Sequence, residues 1–317
     1  TNNDSAYETA ISLFQKGINV GAIIDNREEV DSKLVKEVEK NNIKIYKGYT
    51  VVNTFGYKKI NKISIMQLSK DGQKVVGSKI SIDCDCLGMS GGWTPAVHLF
   101  TQSGGKLKFR DEDQVFIPDT YPSDQISIGS CNGEFTLDEI LSSISKKLKD
   151  FLNIKKTEYE NLEIQSHFNK TKRNIWLLPS DKIIGKTKPF VDYQNDATAK
   201  DIKLALREGF RSIEHVKRYT TTGMGTDQGK LGNMHALGII SETAGSKMGE
   251  LGTTTFRPPY TPLTFGAIVG RNVGEYFDVS RKTPIHDWHV KNKAKFENVG
   301  QWKRAWFYPK ENEGMHE

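Results

Sequence analysis

The chain has 317 residues, with 45 Lys and Arg against 39 Asp and Glu, for a formal net charge of +6. No apolar run approaches the roughly 18–20 residues that a bilayer crossing needs, no secretory leader is visible, and the lysines form no basic stripe with interleaved aromatics, so neither a membrane nor a nucleic acid is an expected partner. Three cysteines, Cys84, Cys86 and Cys131, are too few for a disulfide framework and suit a reducing cytoplasm.

Residues 5–16 have helical spacing, with Ala6, Ala10, Leu13 and Phe14 on one face, and Gly17 ends the helix. Residues 20–24 read as a short apolar strand closing at Asp25. Loop, helix, glycine, strand and acidic end is the order of a Rossmann unit whose first strand lies upstream. The chain is therefore expected to be an internal segment of a longer polypeptide, starting inside one domain and ending inside another. The loop Thr1-Asn2-Asn3-Asp4-Ser5-Ala6 holds the place of a glycine fingerprint without containing glycine. Side chains at those positions keep a pyrophosphate from the backbone. Asp25 stands where a ribose hydroxyl partner belongs, and equally where strands commonly end in an acid.

Residues 43–52 and 60–68 read as strands, and Asp71-Gly72 turns the chain into a third, 74–82. Such a three-strand meander occurs inside the nucleotide domains of disulfide-reductase-like flavoproteins. The run Ser90-Gly91-Gly92 then allows a sharp turn beside a nucleotide. Cys84 and Cys86 have neither zinc nor redox spacing and read as small buried strand residues. Residues 126–133 read as another short strand entering a turn, and 135–148 carry a helical stripe of Phe135, Leu137, Ile140, Leu141, Ile144 and Leu148. Asn132 or Thr136 is the candidate cap, with amides facing an anion at the strand end. The segment Ser130, Cys131, Asn132, Gly133, Phe135 and Leu137 is the leading candidate for cofactor contact. A capped helix without ligand is the competing reading.

Residues 158–184 read as a polar connector with one apolar patch, Trp176-Leu177-Leu178-Pro179. Three helices follow at 199–208, 212–219 and about 234–243, the second leading into Thr220-Thr221-Thr222-Gly223-Met224-Gly225-Thr226-Asp227-Gln228-Gly229-Lys230. Residues 190–233, and the string from Lys217 to Lys230 above all, resemble the α subunits of heterotetrameric sarcosine oxidases. The module itself is similar to the small helical [2Fe–2S] domain of related amino-acid dehydrogenases. Asp192, Gln194, Asp227 and Gly232 stand at the four positions where those relatives carry cluster cysteines. A cluster needs thiolate-type ligands, and none is present, so no iron–sulfur cluster and no metal is expected. Residues 253–262 read as an extended Pro-rich linker. From Arg281 to Trp306 the chain resembles the opening of a glycine-cleavage aminomethyltransferase domain. His286 and His289, three apart, read as ordinary helix-face histidines.

The expected fold is thus mixed α/β and α+β and multidomain. Residues 1–150 form a partial Rossmann-like, two-dinucleotide-binding flavoprotein fold, and 151–189 a connector. Residues 190–250 form a cysteine-free helical module, and 251–317 a linker with the start of an aminomethyltransferase-like domain. The resemblance implies sarcosine oxidation to glycine, hydrogen peroxide and formaldehyde, or 5,10-methylenetetrahydrofolate when folate is present. It also implies NAD in this subunit, FMN at the interface with the β subunit, FAD in the β subunit, and tetrahydrofolate in a domain whose pocket lies beyond residue 317. The implied partners are β, γ and δ subunits. Gly91, Gly92 and Asp25 join 130–137 as nucleotide contacts, and Thr221, Thr222 and Lys230 are candidates for a flavin phosphate. No catalytic residue is expected in this chain. The alternative is a non-catalytic NAD-binding or assembly subunit of a related opine or N-methyl amino-acid dehydrogenase.

Overall fold

The computed structural model describes residues 1–30, 33–122, 124–153, 174–182, 187–258, 261–271, 274 and 278–316. Most of the connector lies outside the described residues. Two compact units are present, Thr1–Thr261 and Pro262–Glu317.

The first unit begins with α1 (Ser5–Gln15), β1 (Ala22–Asp25), α2 (Lys33–Lys40) and β2 (Lys44–Lys47). β1 and β2 pair in parallel, Ala22 opposite Lys44 through Asp25 opposite Lys47, which requires a crossover that α2 supplies. Their core is Tyr7, Ala10, Ile11, Ile23, Val30, Val35, Val38 and Ile43. The buried face of α1 is therefore Tyr7, Ala10 and Ile11, at i, i+3 and i+4, whereas Leu13 and Phe14 are exposed. The stripe expected through Leu13 and Phe14 is displaced because tyrosine at position 7 takes the central core place.

Gly48, at φ +71, divides the expected strand 43–52 into β2 and β3 (Tyr49–Gly56). β3, β4 (Ile60–Leu68) and β5 (Val75–Asp83) form the antiparallel meander. β5 ends at Asp83, so Cys84 and Cys86 lie beyond the strand; Cys86 is exposed and Cys84 half-buried, which corrects their reading as buried strand residues. α3 (His98–Gln102) and a hairpin of β6 (Lys106–Arg110) and β7 (Val115–Thr120) follow. These elements carry no clear periodic signal, because β6 is a short strand interrupted by Lys and Arg.

Residues 126–128 form no strand; a 3-10 turn, Gly129–Asn132, leads to α4 (Leu137–Leu152). β8 (Phe190–Asp192) pairs antiparallel with β9 (Ala197–Thr198), and α5 (Ala199–Arg207), α6 (Ile213–Thr220), α7 (Asn233–Ala244) and α8 (Met248–Leu251) complete the unit. Ala199, Ile202, Ala205, Leu206, Val216, Leu237 and Ile240 are the centre of its second core. Phe116 of β7 belongs to that core, and Leu107, Phe109, Trp176 and Leu177 pack against it. The helical module is thus built onto the β6–β7 hairpin.

The second unit has α9 (Phe265–Val269), β10 (Arg281–Lys282), α10 (His286–Lys291), β11 (Lys295–Val299) and β12 (Trp302–Phe307). Its sheet has the order β10-β12-β11. Buried His286 stacks on Phe296, and His289 bonds the Tyr308 hydroxyl, so each histidine has a packing role. No described helix is long and apolar enough to cross a membrane.

Candidate functional site

The candidate cofactor and cluster-position residues fall into three settings, all within the first unit. The first is the start of the chain. Asp25 is fully buried, and its carboxylate accepts from the Tyr7 hydroxyl at 2.9 Å and pairs with Arg27 at 2.7 Å. Arg27 also pairs with buried Asp4 at 2.8 Å. Burial together with Asp25 raises the Tyr7 phenol above its ordinary range. Burial opposes the charge of Arg27, but its bonds to Asp25 and Asp4 outweigh that and hold it protonated. Asp25 is thereby committed to an internal network. Gly91 and Gly92 lie against the turn at residues 2–5: the Asn2 amide donates to the Gly91 carbonyl at 3.0 Å. On their other side, a Cβ on Gly91 would lie 3.7 Å from His235 Nε2 of α7.

The second setting is 129–137. Thr136 caps α4 in a reciprocal box with Glu139, whose carboxylate accepts from the Phe135 and Thr136 amides at 3.1 and 3.4 Å. The Thr-x-x-Glu spacing is readable in the sequence. The anion expected at this turn is internal. Glu134 accepts from the Gly129 amide at 2.9 Å, Asn132 at 2.7 Å and Lys147 at 3.1 Å, with Ser143 also bonded. Burial works against its charge, yet these donors lower its pKa overall. Carboxylates of the chain thus take the amides of Gly129, Phe135 and Thr136, and the Thr136 hydroxyl takes that of Glu139. Ser130 and Leu137 are exposed, Cys131 donates to Ile128 at 3.0 Å, and Gly133 is buried against Arg110. Tyr121, which donates to Asn132 at 3.2 Å, also lines an open cavity of about 360 Å³ with Ile126, Ser127, Lys147, Asp150 and Phe151.

The third setting gathers the four degenerate ligand positions. Asp192, buried, accepts from the amides of Gln194, Asn195 and Gly223 at 2.9, 3.0 and 2.7 Å. Gln194 accepts from the Asp227 amide at 3.2 Å and donates to Thr226 at 3.1 Å. Asp227 accepts from Gly229 at 2.9 Å. A Cβ on Gly232 would run into the Val191 carbonyl. The donor set has no thiolate, its oxygens are used by the fold, and the fourth position admits no side chain, so these residues do not fit an iron–sulfur cluster. In the adjoining loop, Thr222 is buried and its hydroxyl bonds that of Thr220 at 2.8 Å, while Thr221 is exposed and Lys230 half-buried. Lys230 lies near His98, whose pKa falls to about 4 through burial first, then the Lys230 charge, with Asp227 opposing. His98 stacks on Phe256 at 3.9 Å.

The segment 254–257 is gripped residue by residue. Asn233 bonds Thr254 at 3.0 Å, Glu214 accepts from the Thr255 amide at 2.6 Å, and Lys217 donates to its carbonyl at 3.3 Å. Gln228 accepts from the Arg257 amide at 3.2 Å. The expected linker is here a bound strap. Sequence reasoning misses it because extended backbone held by side chains has no periodicity.

Residues 186–271 match the family model of the sarcosine oxidase A3 domain. Over 324 aligned residues, and 99% of its length, the chain is 35% identical to the α subunit of sarcosine oxidase from Corynebacterium sp. (strain P-1). It is 34% identical to the corresponding subunit of Rhizobium meliloti (strain 1021), again over 99% of the chain. The aligned regions are 33% and 30% of those proteins, so the chain spans about one third of the curated relatives it matches. An opine oxidase subunit of Rhizobium meliloti (strain 1021) is 33% identical over 73 residues, 23% of this chain and 16% of that protein. Among solved structures, L-proline dehydrogenase from P. horikoshii superposes with a TM-score of 0.48 at 19% identity, over 75% of this chain and 48% of that one. Residues 186–271 are thus similar to the sarcosine oxidase A3 domain, and along nearly its whole length the chain is similar to about one third of the sarcosine oxidase α subunit.

Proposed function

We propose that the chain is part of the α subunit of a sarcosine oxidase-type oxidoreductase. The observation that carries the reading is similarity along 99% of the chain, at 35% identity, to a protein of that name. In this reading the complex oxidises sarcosine to glycine and hydrogen peroxide, releasing the one-carbon unit as formaldehyde or as 5,10-methylenetetrahydrofolate. The chain contributes cofactor binding and subunit contacts rather than the oxidation site. NAD is assigned to the surface of 130–137 and the adjoining cavity, whose roughly 300–1,000 Å³ class is that of small-molecule sites. With the amides of Gly129, Phe135 and Thr136 taken by carboxylates, side-chain contact would come from Ser130, Asn132, Leu137 and the Tyr121–Lys147 wall. FMN is assigned to Thr221 and Lys230 at the face toward a β subunit. The second unit is assigned as the start of the folate domain, and γ and δ subunits complete a cytoplasmic assembly.

The local match to an opine oxidase favours a second reading, an NAD-binding assembly subunit of an enzyme that takes opines or other N-alkyl amino acids. Co-expression of the full-length subunit with the products of its neighbouring genes decides between them. Peroxide formation and released formaldehyde would be measured with sarcosine, with and without tetrahydrofolate. Peroxide from another secondary amine and none from sarcosine would overturn the first reading.

A further inference from the structure

The turn at residues 1–5 occupies the position of a phosphate-binding loop, at the N-terminus of the first helix of a Rossmann-like unit. Its interior is filled. Asn3 is fully buried; its amide nitrogen donates to Ser90 Oγ at 3.0 Å and to Asn2 Oδ1 at 3.0 Å. Its carbonyl oxygen accepts from the Ser5 amide at 3.1 Å and the Ser5 hydroxyl at 2.6 Å. Asn2 donates to the Gly91 carbonyl at 3.0 Å and to Asn174 at 3.1 Å. Gly92 follows at φ +108, a conformation that favours glycine, and it borders Asn2. The next residue, Asp4, is a buried carboxylate held by Arg27 at 2.8 Å. A phosphate entering here would break these bonds and meet a fixed negative charge of the same sign.

We propose that this turn is self-liganded. The carboxamides of Asn2 and Asn3 stand in the phosphate's place, and the glycines at 91 and 92 serve those side chains rather than a nucleotide. The turn becomes a joint, fastening α1 to the segment 90–92 and to Asn174 of the connector. This deepens the assignment of NAD to the surface of 130–137, since it removes the rival loop from contention, and it rests on that reading only for the nucleotide.

Asn3→Asp and Asn3→Ala, each made in the full-length subunit within its purified complex, test the joint. Two quantities are read: NAD released on denaturation per complex, and the thermal midpoint. Aspartate keeps the oxygen that Ser5 uses, loses both donated bonds, and adds a charge that a bound phosphate would not tolerate. The expected result is unchanged NAD content in both variants with a midpoint lowered by ~5 °C or more. A tenfold loss of NAD in Asn3→Asp at an unchanged midpoint would overturn the joint. If the parent complex holds no NAD, the cofactor reading fails by itself. The joint then stands or falls on hydrogen exchange in Asn2→Ala, where faster exchange at 90–92 is expected and unaltered exchange would overturn it.

Discussion

Asp192 and Gly223, 31 positions apart, meet in one buried hydrogen bond, the Gly223 amide donating to Asp192 Oδ2 at 2.7 Å. The other carboxylate oxygen holds the turn after β8 through the amides of Gln194 and Asn195. A charged acceptor of three backbone donors is among the stronger contacts a small module can have. Asp192→Ala strands all three donors in a buried place, and we expect a loss of about 3 kcal/mol in urea unfolding of the protein. Asp192→Asn keeps one oxygen but turns a donor toward another donor, and should lose about 2 kcal/mol. Equal stability of both variants to the parent would refute the role.

His98 makes stability depend on acid. Its pKa in the folded protein is about 4, below the unfolded value near 6.5, so the unfolded chain binds the proton more readily. Stability is then full above pH ~6.5 and falls as the pH drops toward 4, by at most about 3 kcal/mol. His98→Phe keeps a ring against Phe256 and removes the proton. Its stability between pH 6.5 and 4 should decline less than the parent's, and superimposable profiles would rule the group out.

The strap is expected to loosen before the helices beneath it. Glu214→Ala frees the Thr255 amide and unpairs Arg218, which Glu214 now holds at 2.7 Å. Chymotryptic cleavage after Phe256 should quicken several-fold while far-ultraviolet dichroism stays unchanged. Lys217→Met, which removes a buried amine whose pKa burial lowers, should quicken it less, since methionine retains the packing of the stem. Cleavage at the parent rate in Glu214→Ala would count against the grip.

Lys230→Met in the full complex tests the flavin assignment. We expect FMN content to fall by about tenfold, the scale of one lost charge-assisted phosphate contact. Full occupancy would discard the loop as a flavin site.

Much of the architecture is legible in the sequence because it rests on short-range patterns. Helix α1 and strand β1, the meander and helices α5 to α7 follow from periodicity and from glycines at turns, whereas α2 and the parallel pairing of β1 with β2 do not. What escapes has long-range causes. Tyr7 displaces Leu13 and Phe14 from the core of α1 because Asp25, itself held by Arg27, accepts from its buried hydroxyl. Residues 126–128 have strand-like composition but no strand to pair with among the described residues, so they stay irregular. At 129–137 the helix start is readable, but not that Glu134, nine residues before Ser143 and thirteen before Lys147, folds back as its own anion. A sequence displays a vacancy for charge; only the packed chain shows who fills it.

Phe116 has a consequence for how the helical module can be handled. Residues 186–271 do not close their own interior, because β7 supplies a side chain to that core. A fragment cut to those residues would carry an open seam where Phe116 belongs, and it should unfold at lower denaturant than the same helices carried with their hairpin.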